Sequence, residues 1–327
     1  MQSASFITIH HGSGKRQAEL LHFIREQLGS KVVSMENDGA SVDEAVDTIT
    51  TDSFTISPIF FPGGDIGKLA IAGSINDVVM MGAKPLYLTL SLVIEEGFVL
   101  HDLARILNSA KNELEMNSAR ILCGDTKVVS RGEVDRIIIN TVCLGRTEGT
   151  RFTVDQIETG DRIVVTGPVG LHGASVMAVR NGFEIDFISD CKSLASLLEA
   201  TKGLGVHTMR DPTRGGLGQV LNELAQSSGK EMIIEEERIP KHLGVTTVAE
   251  ILGVDPLYLA CEGTAVILCK EADTDSLLKA LQFQGYSPSV IGKAGPVSSR
   301  PLLIIRTRAG AERVLPMLTE ELTPRIC

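Results

Sequence analysis

The last residue of the chain is a cysteine, and a thiol in that position can do chemistry that a packed cysteine cannot. Pro324, Arg325 and Ile326 precede Cys327. If the chain is extended from about residue 316, a rise of roughly 3.3 to 3.6 Å per residue lets the sulfur sweep about 35 Å, enough to visit two separate sites. A free thiol has a pKa of about 8.5, and the adjacent terminal carboxylate raises it, so a protein site must activate the sulfur. This pattern predicts a swinging arm; an incidental frayed terminus is the alternative.

Four carboxylates, three of them at the ends of predicted elements such as the short strand over 48–51 before Asp52, form a second candidate site: Asp38, Asp52, Asp77 and Asp125. Bringing several carboxylates within about 5 Å of one another costs several kcal/mol unless a cation lies between them. Mg²⁺ binds through carboxylates together with phosphate oxygens. A cluster of these residues would therefore indicate a metal and phosphate site. Each carboxylate taken alone is more typical of a turn or a helix cap.

Residues 211–216 (DPTRGG) form a compact turn before a predicted helix over 217–227. Backbone amides, the Arg214 guanidinium and a helix N-terminus would converge there, and all three groups bind anions. A simple turn and cap is the alternative. Near the amino terminus, HGSGK (11–15) imitates a P-loop, but Ile9 and Arg16 stand where that motif needs glycine and Ser or Thr, which excludes it.

The composition excludes several classes of function. With 327 residues and 43% hydrophobic content, the chain can build two domains with real cores. A formal charge of -10 without a run of Lys or Arg argues against a nucleic-acid or anionic-membrane partner. We find neither a signal-peptide pattern nor an apolar run of about 18 residues. The six cysteines contain no CxxC pair, so we expect free thiols and a cytoplasmic protein.

Alternating helical and strand patterns predict an α/β (mixed α+β) protein. Helices are predicted over 66–81, with Asp65 as the N-cap, and over 102–114; strands are predicted over 85–94, 121–123 and 137–144. The pattern weakens into polar turns around 145–159, where we place a domain boundary. The predicted division is a first domain over 1–150, a second over 151–310 and a mobile tail over 311–327.

Five stretches resemble the HypE family of [NiFe]-hydrogenase maturation proteins: TTDSFTISPIFFPGGDIGKLA (50–70), INDVVMMGAKPLYL (75–88), GDTKVVSRG (124–132), DPTRGGL (211–217) and the terminal PRIC. That family is part of the PurM-like, ATP-dependent superfamily, which also contains aminoimidazole ribotide synthetase and thiamine monophosphate kinase. The metal and phosphate motifs indicate the superfamily, and PRIC indicates the family. The resemblance implies a PurM-like fold of two domains, the first of which binds ATP and Mg²⁺ and forms a homodimer through its sheet.

The resemblance also implies roles for individual residues. The implied ligands of Mg²⁺ and the ATP phosphates are all acidic: Asp38, Asp52, Asp77, Asp125 and Asp211. Further predicted ATP-binding residues are Gly64, Asp65, Lys68, Asn76, Thr126 and Arg214. The predicted catalytic residues are Cys327 as acceptor, Glu262 as base and Lys127, which orients the reacting oxygen or stabilises phosphate. Cys261 stands where the family usually has asparagine, and restoring the asparagine is expected to be tolerated or to improve activity.

By the same resemblance, HypF transfers a carbamoyl group to Cys327, and ATP-dependent dehydration converts the S-carboxamide to an S-cyanide. The cyanide then passes to iron held by the HypC–HypD complex. Phosphorylating the amide oxygen is sound chemistry, since it turns a poor leaving group into phosphate. Two alternatives stay open. A small-molecule kinase or synthetase of the superfamily would not need Cys327, and a non-catalytic scaffold that presents its tail would not need Asp77.

Overall fold

The structure, a computed structural model, describes residues 15, 40–41 and 46–327. Its first sheet contains β1 (Ala40–Ser41), β2 (Thr48–Phe54), β5 (Ala83–Glu95), β6 (Arg120–Val129) and β7 (Ile137–Thr147). Their order is β1-β2-β7-β5-β6, antiparallel except for the parallel pair β5 and β6. A small separate hairpin is formed by β3 (Phe60–Phe61) and β4 (Gly64–Asp65). The sheet therefore ends at β6 on one side.

Helix α1 (Ile66–Met80) lies at the centre of the described chain. Asp65 caps it, since its Oδ1 accepts hydrogen bonds from the backbone amides of Gly67 (2.8 Å) and Lys68 (3.1 Å). The helix is buried on nearly every side, because it packs on the first sheet, on α2 (Leu100–Met116) and on the second half of the chain. A helix that is apolar all round is stable only in such a position. The predicted helices and the N-cap are confirmed.

The second half of the chain forms a seven-stranded sheet. Its strands are β8 (Arg162–Val165), β9 (Val206–Arg210), β10 (Lys230–Glu235), β11 (Val266–Cys269), β12 (Ser289–Val297), β13 (Leu303–Arg306) and β14 (Glu312–Val314). Their order is β14-β13-β10-β12-β8-β11-β9. The accompanying helices are α3 (Leu171–Arg180), α4 (Leu197–Thr201), α5 (Gly216–Ser228), α6 (Leu243–Leu252) and α7 (Thr274–Phe283). The mixed α/β class is confirmed, and the boundary near residue 150 stays a prediction.

Two sequence expectations about strand ends are wrong. Asp52 was expected to follow a strand, yet β2 continues to Phe54. Asp125 was expected after a strand ending at Cys123, yet β6 runs on to Val129. Gly124 does not interrupt β6, because its backbone pairs with Leu90 of the neighbouring strand. Both carboxylates therefore lie within strands.

The tail begins later than its predicted start at residue 311, because β14 belongs to the seven-stranded sheet. Residues 316–318 then lie alongside α5, where the Leu318 amide donates a hydrogen bond to Oε1 of Gln219 (3.3 Å). The last residues lie against the body of the protein. Among the described helices, none has the length and apolar character needed to cross a bilayer.

Candidate active site

The last residue of the chain lines a cavity of about 210 Å³. Strand β2, helix α1, the turn after β9 and the segment before β11 supply the other walls. The lining residues are Thr51, Asp52, Ser53, Phe54, Gly73, Asp77, Asp211, Thr213, Arg214, Glu262 and Cys327. The cavity thus joins three predicted metal ligands, one predicted phosphate-binding arginine, the predicted base and the predicted acceptor sulfur. Five lining residues were not predicted: Thr51, Ser53, Phe54, Gly73 and Thr213. Gly73 lies one helical turn from Asp77, and each of the others lies within two residues of a predicted site residue.

Asp52 and Asp77 meet at one wall of the cavity. The Thr50 hydroxyl donates a hydrogen bond to Oδ2 of Asp77 (2.7 Å). Burial raises the pKa of Asp52, and its hydrogen bond with Asp77 and the charge of Arg214 oppose this only in part. This wall of the cavity therefore concentrates acidic groups, and one buried oxygen of Asp52, Oδ2, has no hydrogen-bond partner among the described residues.

Asp211 and Glu262 face the same space from the second half of the chain. Burial raises the pKa of Asp211 to about 6, and the nearby Asp52 adds to the effect, whereas Arg210 opposes it. Burial also raises the pKa of Glu262 well above its usual range, with further contributions from Asp211 and Asp190. Oε1 of Glu262 is a second buried oxygen without a partner among the described residues. Such carboxylates fit a divalent cation, which would lower their repulsion and satisfy the orphaned oxygens.

The thiol of Cys327 is not activated in this cavity. Burial raises its pKa to about 12; Arg214 opposes the rise, while Glu262 and Asp52 add to it. The docked sulfur is therefore a protonated thiol at physiological pH. The activation that the sequence requires of some protein site is therefore not supplied by this cavity. The nearby Arg325 forms an ion pair with Asp135.

The tail is held by its backbone, by the Arg325 side chain and by one apolar side chain. The Thr55 amide donates to the main-chain oxygen of Cys327 (3.0 Å), and the Ser57 amide donates to that of Arg325 (3.2 Å). The Ile326 side chain is 1% exposed and belongs to an apolar cluster that includes Ile56. Sequence reasoning missed this anchor, although a large apolar residue next to the terminal cysteine was a visible signal. The structure therefore describes the docked arm, and the extended arm stays a prediction.

Several predicted ATP-binding residues lie outside the cavity wall. Asp65 caps α1, and Lys68 donates through Nζ to the main-chain oxygen of Gly63 (3.0 Å). The Asn76 side chain bridges to the second half of the chain, accepting from the Leu194 amide (2.7 Å) and donating to the Lys192 carbonyl (3.1 Å). Gly64 lies in the adjoining hairpin. Asp38 lies outside the described residues.

Asp125, Thr126 and Lys127 lie on the exposed strand β6, where Lys127 Nζ pairs with Asp125 Oδ2 at 2.9 Å. Strand register places Asp52 opposite Thr141 on β7, and Ser91 of β5 opposite Asp125. Asp52 and Asp125 are therefore three strand spacings apart, about 14 Å at 4.8 Å per strand. Carboxylates at that distance cannot share one Mg²⁺ ion, whose ligand distances are about 2.1 Å.

Cys261 lies in the core beside Glu262. It is fully buried in the apolar cluster that fills the second half of the chain, and the Gly170 amide donates to its Sγ (3.1 Å). Burial raises the pKa of this thiol well above its usual range. The residue therefore acts as a small apolar side chain with one acceptor atom.

We expect Cys261→Asn to lower the free energy of unfolding by about 1 to 3 kcal/mol, because the amide NH₂ would enter an apolar cluster. This changes the expectation that asparagine is tolerated. Urea unfolding of Cys261→Asn and Cys261→Ser measures the cost, since serine keeps an acceptor oxygen near Gly170 and adds only one donor. Equal stability of Cys261→Asn and the unmodified protein would contradict the prediction.

Comparison with known proteins gives one consistent family. The AIR synthase related protein, N-terminal domain, matches residues 36–147, and the AIR synthase related protein, C-terminal domain, matches residues 158–300. The chain is 38% identical to "Carbamoyl dehydratase HypE" of Azotobacter vinelandii over 337 residues, covering 100% of this chain and 98% of that relative. The two chains therefore correspond over nearly their whole lengths.

Two solved structures extend the similarity to three dimensions. "Crystal structure of HypE-HypF complex" matches with a TM-score of 0.87 and 37% identity, covering 92% of this chain and 100% of that one. "Crystal Structure of Hydrogenase Maturation Protein HypE in complex with ATP" matches with a TM-score of 0.82 and 34% identity, covering 96% and 97%. A thiamine monophosphate kinase at 18% identity and a TM-score of 0.70 shares the fold.

Proposed function

The chain belongs to the HypE family, and on this premise we propose that it is a carbamoyl dehydratase that acts on its own last residue. In the proposed reaction, ATP drives conversion of an S-carboxamide on Cys327 into an S-cyanide. One observation carries the assignment of the site: Cys327 lies in the same cavity as Asp52, Asp77, Asp211, Arg214 and Glu262. The acceptor and the groups that handle phosphate are thus together.

The proposed chemistry balances with one ATP. The carbamoyl oxygen attacks the γ-phosphorus, and ADP leaves. The two N–H protons are then lost as the C–O bond breaks, which releases inorganic phosphate and leaves a C≡N group on sulfur. Phosphate is a far better leaving group than hydroxide, so the barrier to losing the oxygen falls. The chain must therefore hold phosphate close to the sulfur and supply a base.

The cavity supplies both groups. Arg214 faces the sulfur and would balance charge on the transferred phosphoryl group. Glu262 would accept the N–H protons, because burial raises its pKa and makes its ionised form a stronger base. Asp52, Asp77 and Asp211 would hold Mg²⁺ against the phosphates. When bound, the ion would neutralise phosphate charge.

The docked state cannot also accept the carbamoyl group. A thiol with a pKa of about 12 has almost no thiolate at neutral pH, and the thiolate is the nucleophile. Acceptance from HypF therefore requires an undocked tail, and so does delivery to the HypC–HypD complex. If residues 316–318 stay on α5, the nine residues that follow still reach about 30 Å.

A cytoplasmic location fits the six free cysteines.

We further propose a homodimer formed through β6. Ile121, Leu122 and Val128 of this edge strand are 36%, 56% and 70% exposed in the single chain. An exposed apolar edge strand is a template for pairing with another chain. A second copy would also allow Asp125 and Lys127 to act, because within one chain β6 lies three strands from Asp52.

Leu122→Asp should therefore convert the dimer to a monomer and lower dehydration, because a carboxylate would have to be buried at the interface. Sedimentation or light scattering measures the mass, and Leu243→Asp, at an 80% exposed position away from β6, is the matched control. A Leu122→Asp protein that remains dimeric would contradict the β6 interface.

Intact-mass spectrometry after incubation with HypF, carbamoyl phosphate and ATP tests the proposed function. We expect the chain to gain one carbamoyl mass and then to lose the mass of one water when this protein's own ATP site is functional. A small-molecule kinase or synthetase would show no mass change on the chain. A scaffold would gain the carbamoyl group and keep it, and either result would overturn the proposal.

A further inference from the structure

Three consecutive main-chain oxygens of the tail are bound by only two side chains. Arg180 donates through its two terminal nitrogens to the carbonyls of Pro324 (2.7 Å) and Arg325, and His172 lies with Nε2 2.8 Å from the carbonyl of Ile326. These are the three residues immediately before Cys327. The position of the sulfur in the cavity therefore depends on groups that do not touch the sulfur.

Both side chains come from α3, which lies along the tail. His172 is in the first turn and Arg180 is the last helical residue, about 12 Å away at 1.5 Å per residue. Nε of Arg180 also donates to the carbonyl of Ser57. The tail is thus enclosed between α3 on one side and residues 55–57, whose amides bind the tail, on the other.

His172 is held in one chemical form. A carbonyl oxygen can only accept, so Nε2 of His172 must carry the proton that binds Ile326, and Nδ1 then accepts from the Ser189 hydroxyl (2.7 Å). Burial lowers the pKa of His172 to about 4, so the ring stays neutral at physiological pH. The turn of the hairpin fixes the backbone of Ser189, whose amide donates to the Pro62 carbonyl (2.9 Å). Gly63, at a φ of +99°, lies so close that a Cβ there would be 2.8 Å from the main-chain oxygen of Ser189.

We propose that His172 and Arg180 form a tail latch, a pair of positioning residues that hold the backbone of residues 324–326 so that the group on Cys327 lies beside Arg214 and Glu262. The latch binds only main-chain oxygens. It therefore holds the tail equally well whether the sulfur carries hydrogen, a carboxamide or a cyanide, and so governs dehydration without taking part in it. The role of the latch in dehydration rests on the proposed function. The binding of the tail by His172 and Arg180 does not depend on that function.

The latch makes the two half-reactions respond in opposite directions. Dehydration needs the docked tail, and carbamoyl acceptance needs the undocked tail. Weakening the latch should therefore slow dehydration and leave acceptance unchanged or faster. A residue that merely stabilises the fold would slow both steps together.

The test uses matched substitutions of the two latch residues. His172→Gln keeps an N–H donor near the position of Nε2, whereas His172→Asn keeps only the group near Nδ1 that faces Ser189. Arg180→Lys keeps the charge but loses the planar fork that reaches two carbonyls. Arg180 is only partly buried, so this variant reports on the latch even if substitutions of the fully buried His172 impair folding.

The first readout is alkylation of Cys327 at pH 8, followed by intact mass in a Cys123→Ser background that removes the other accessible thiol. The docked thiol, with its pKa of about 12, is unreactive, so the labelling rate measures the undocked fraction. We expect His172→Asn and Arg180→Lys to label at least about tenfold faster, a change that corresponds to about 1.4 kcal/mol. His172→Gln should stay within about threefold of the unmodified protein.

The second readout is single-turnover dehydration beside carbamoyl acceptance, with HypF, carbamoyl phosphate and ATP. We expect the same two variants to dehydrate at least about tenfold more slowly, with acceptance not reduced. Unchanged labelling of both variants would overturn the latch, as would faster labelling with full dehydration or equal losses in both steps. If the latch variants label faster but the unmodified protein never dehydrates its tail, docking by the latch stands and the proposed function fails.

Discussion

Cys327→Ala should eliminate both carbamoyl acceptance and cyanide formation, while Mg·ATP still binds. The sulfur is the only group of the last residue that can carry the carbamoyl carbon, and the carboxylates that would hold the phosphates lie on other elements. The docked thiol is protonated at neutral pH, so removing it leaves no buried charge without its counter-charge, and we expect the fold to be retained. We expect no mass gain on the variant after incubation with HypF, carbamoyl phosphate and ATP, and an unchanged affinity for Mg·ATP by calorimetry.

Cys123→Ala is the matched control, since the Cys123 thiol is exposed. It lies on β6, far along the chain from the tail, and its loss should leave the mass gain intact. A carbamoyl group found on the Cys327→Ala chain would show that another residue is the acceptor, and the assignment of the terminal cysteine would be wrong.

A variant with one glycine added after Cys327 tests whether dehydration requires Cys327 to be the last residue. The main-chain oxygen of Cys327 accepts a hydrogen bond from the Thr55 amide, and the residue lines the cavity, so an added residue should disturb the docked end. We expect acceptance at the normal rate and slower dehydration. Dehydration at the normal rate in a chain extended by several residues would mean that the tail is a simple tether.

Asp211→Asn should abolish ATP-dependent dehydration and, at the same time, stabilise the protein without ligand at pH 8. The activity is lost because a metal and phosphate ligand loses its charge. The stability is gained because burial raises the pKa of Asp211 to about 6, so that ionising it above that pH disfavours the folded state. Active-site carboxylates commonly lower stability in this way until their ligand binds.

The sign of the pH dependence follows from the two pKa values. Unfolded aspartate titrates near 3.9, so between about pH 4 and 6 the folded state binds more protons and stability falls as the pH rises. At pH 8 ionisation of Asp211 has lowered the free energy of unfolding of the unmodified protein by about 1 to 3 kcal/mol. The Asp211→Asn protein does not show this decrease. Below about pH 4 the advantage of the variant disappears, because Asp211 is then protonated in both states.

Urea unfolding at pH 4 and at pH 8 measures this difference, and Asp186→Asn, at an exposed aspartate outside the cavity, is the matched control. Mg·ATP should raise the melting temperature of the unmodified protein and of Asp186→Asn, but not that of Asp211→Asn. If Mg·ATP still raises the melting temperature of Asp211→Asn, Asp211 is not part of the phosphate site. A variant that is less stable at pH 8 would contradict the buried-charge explanation.

Sequence patterns determined most of the elements because their causes are local. The 3.6-residue period and Asp65 before it were enough for α1, and the glycine-rich turn was enough for the start of α5. The terminal Cys327 and the DPTRGG turn were visible as candidates for chemistry for the same reason, since each motif lies within a few consecutive residues.

Only the tertiary structure decided which carboxylates meet. Asp52, Asp77, Asp211 and Glu262 come from four separate segments, and the packing of α1 between the two halves of the chain brings them into one cavity. Asp125 looked equivalent in sequence, but strand order places it at the far edge of the sheet. Sheet order depends on pairing between distant strands, which no local pattern encodes.

The docked position of the tail was likewise decided in three dimensions. From the sequence, Cys327 had full freedom to move and a thiol in need of activation. In the fold, Ile326 enters the apolar core, His172 and Arg180 bind the carbonyls of residues 324–326, and burial keeps the thiol protonated. The sequence by itself determined that the last residue can carry a group; the pKa of its sulfur and the residues that hold it depend on burial and on contacts more than 140 residues away along the chain.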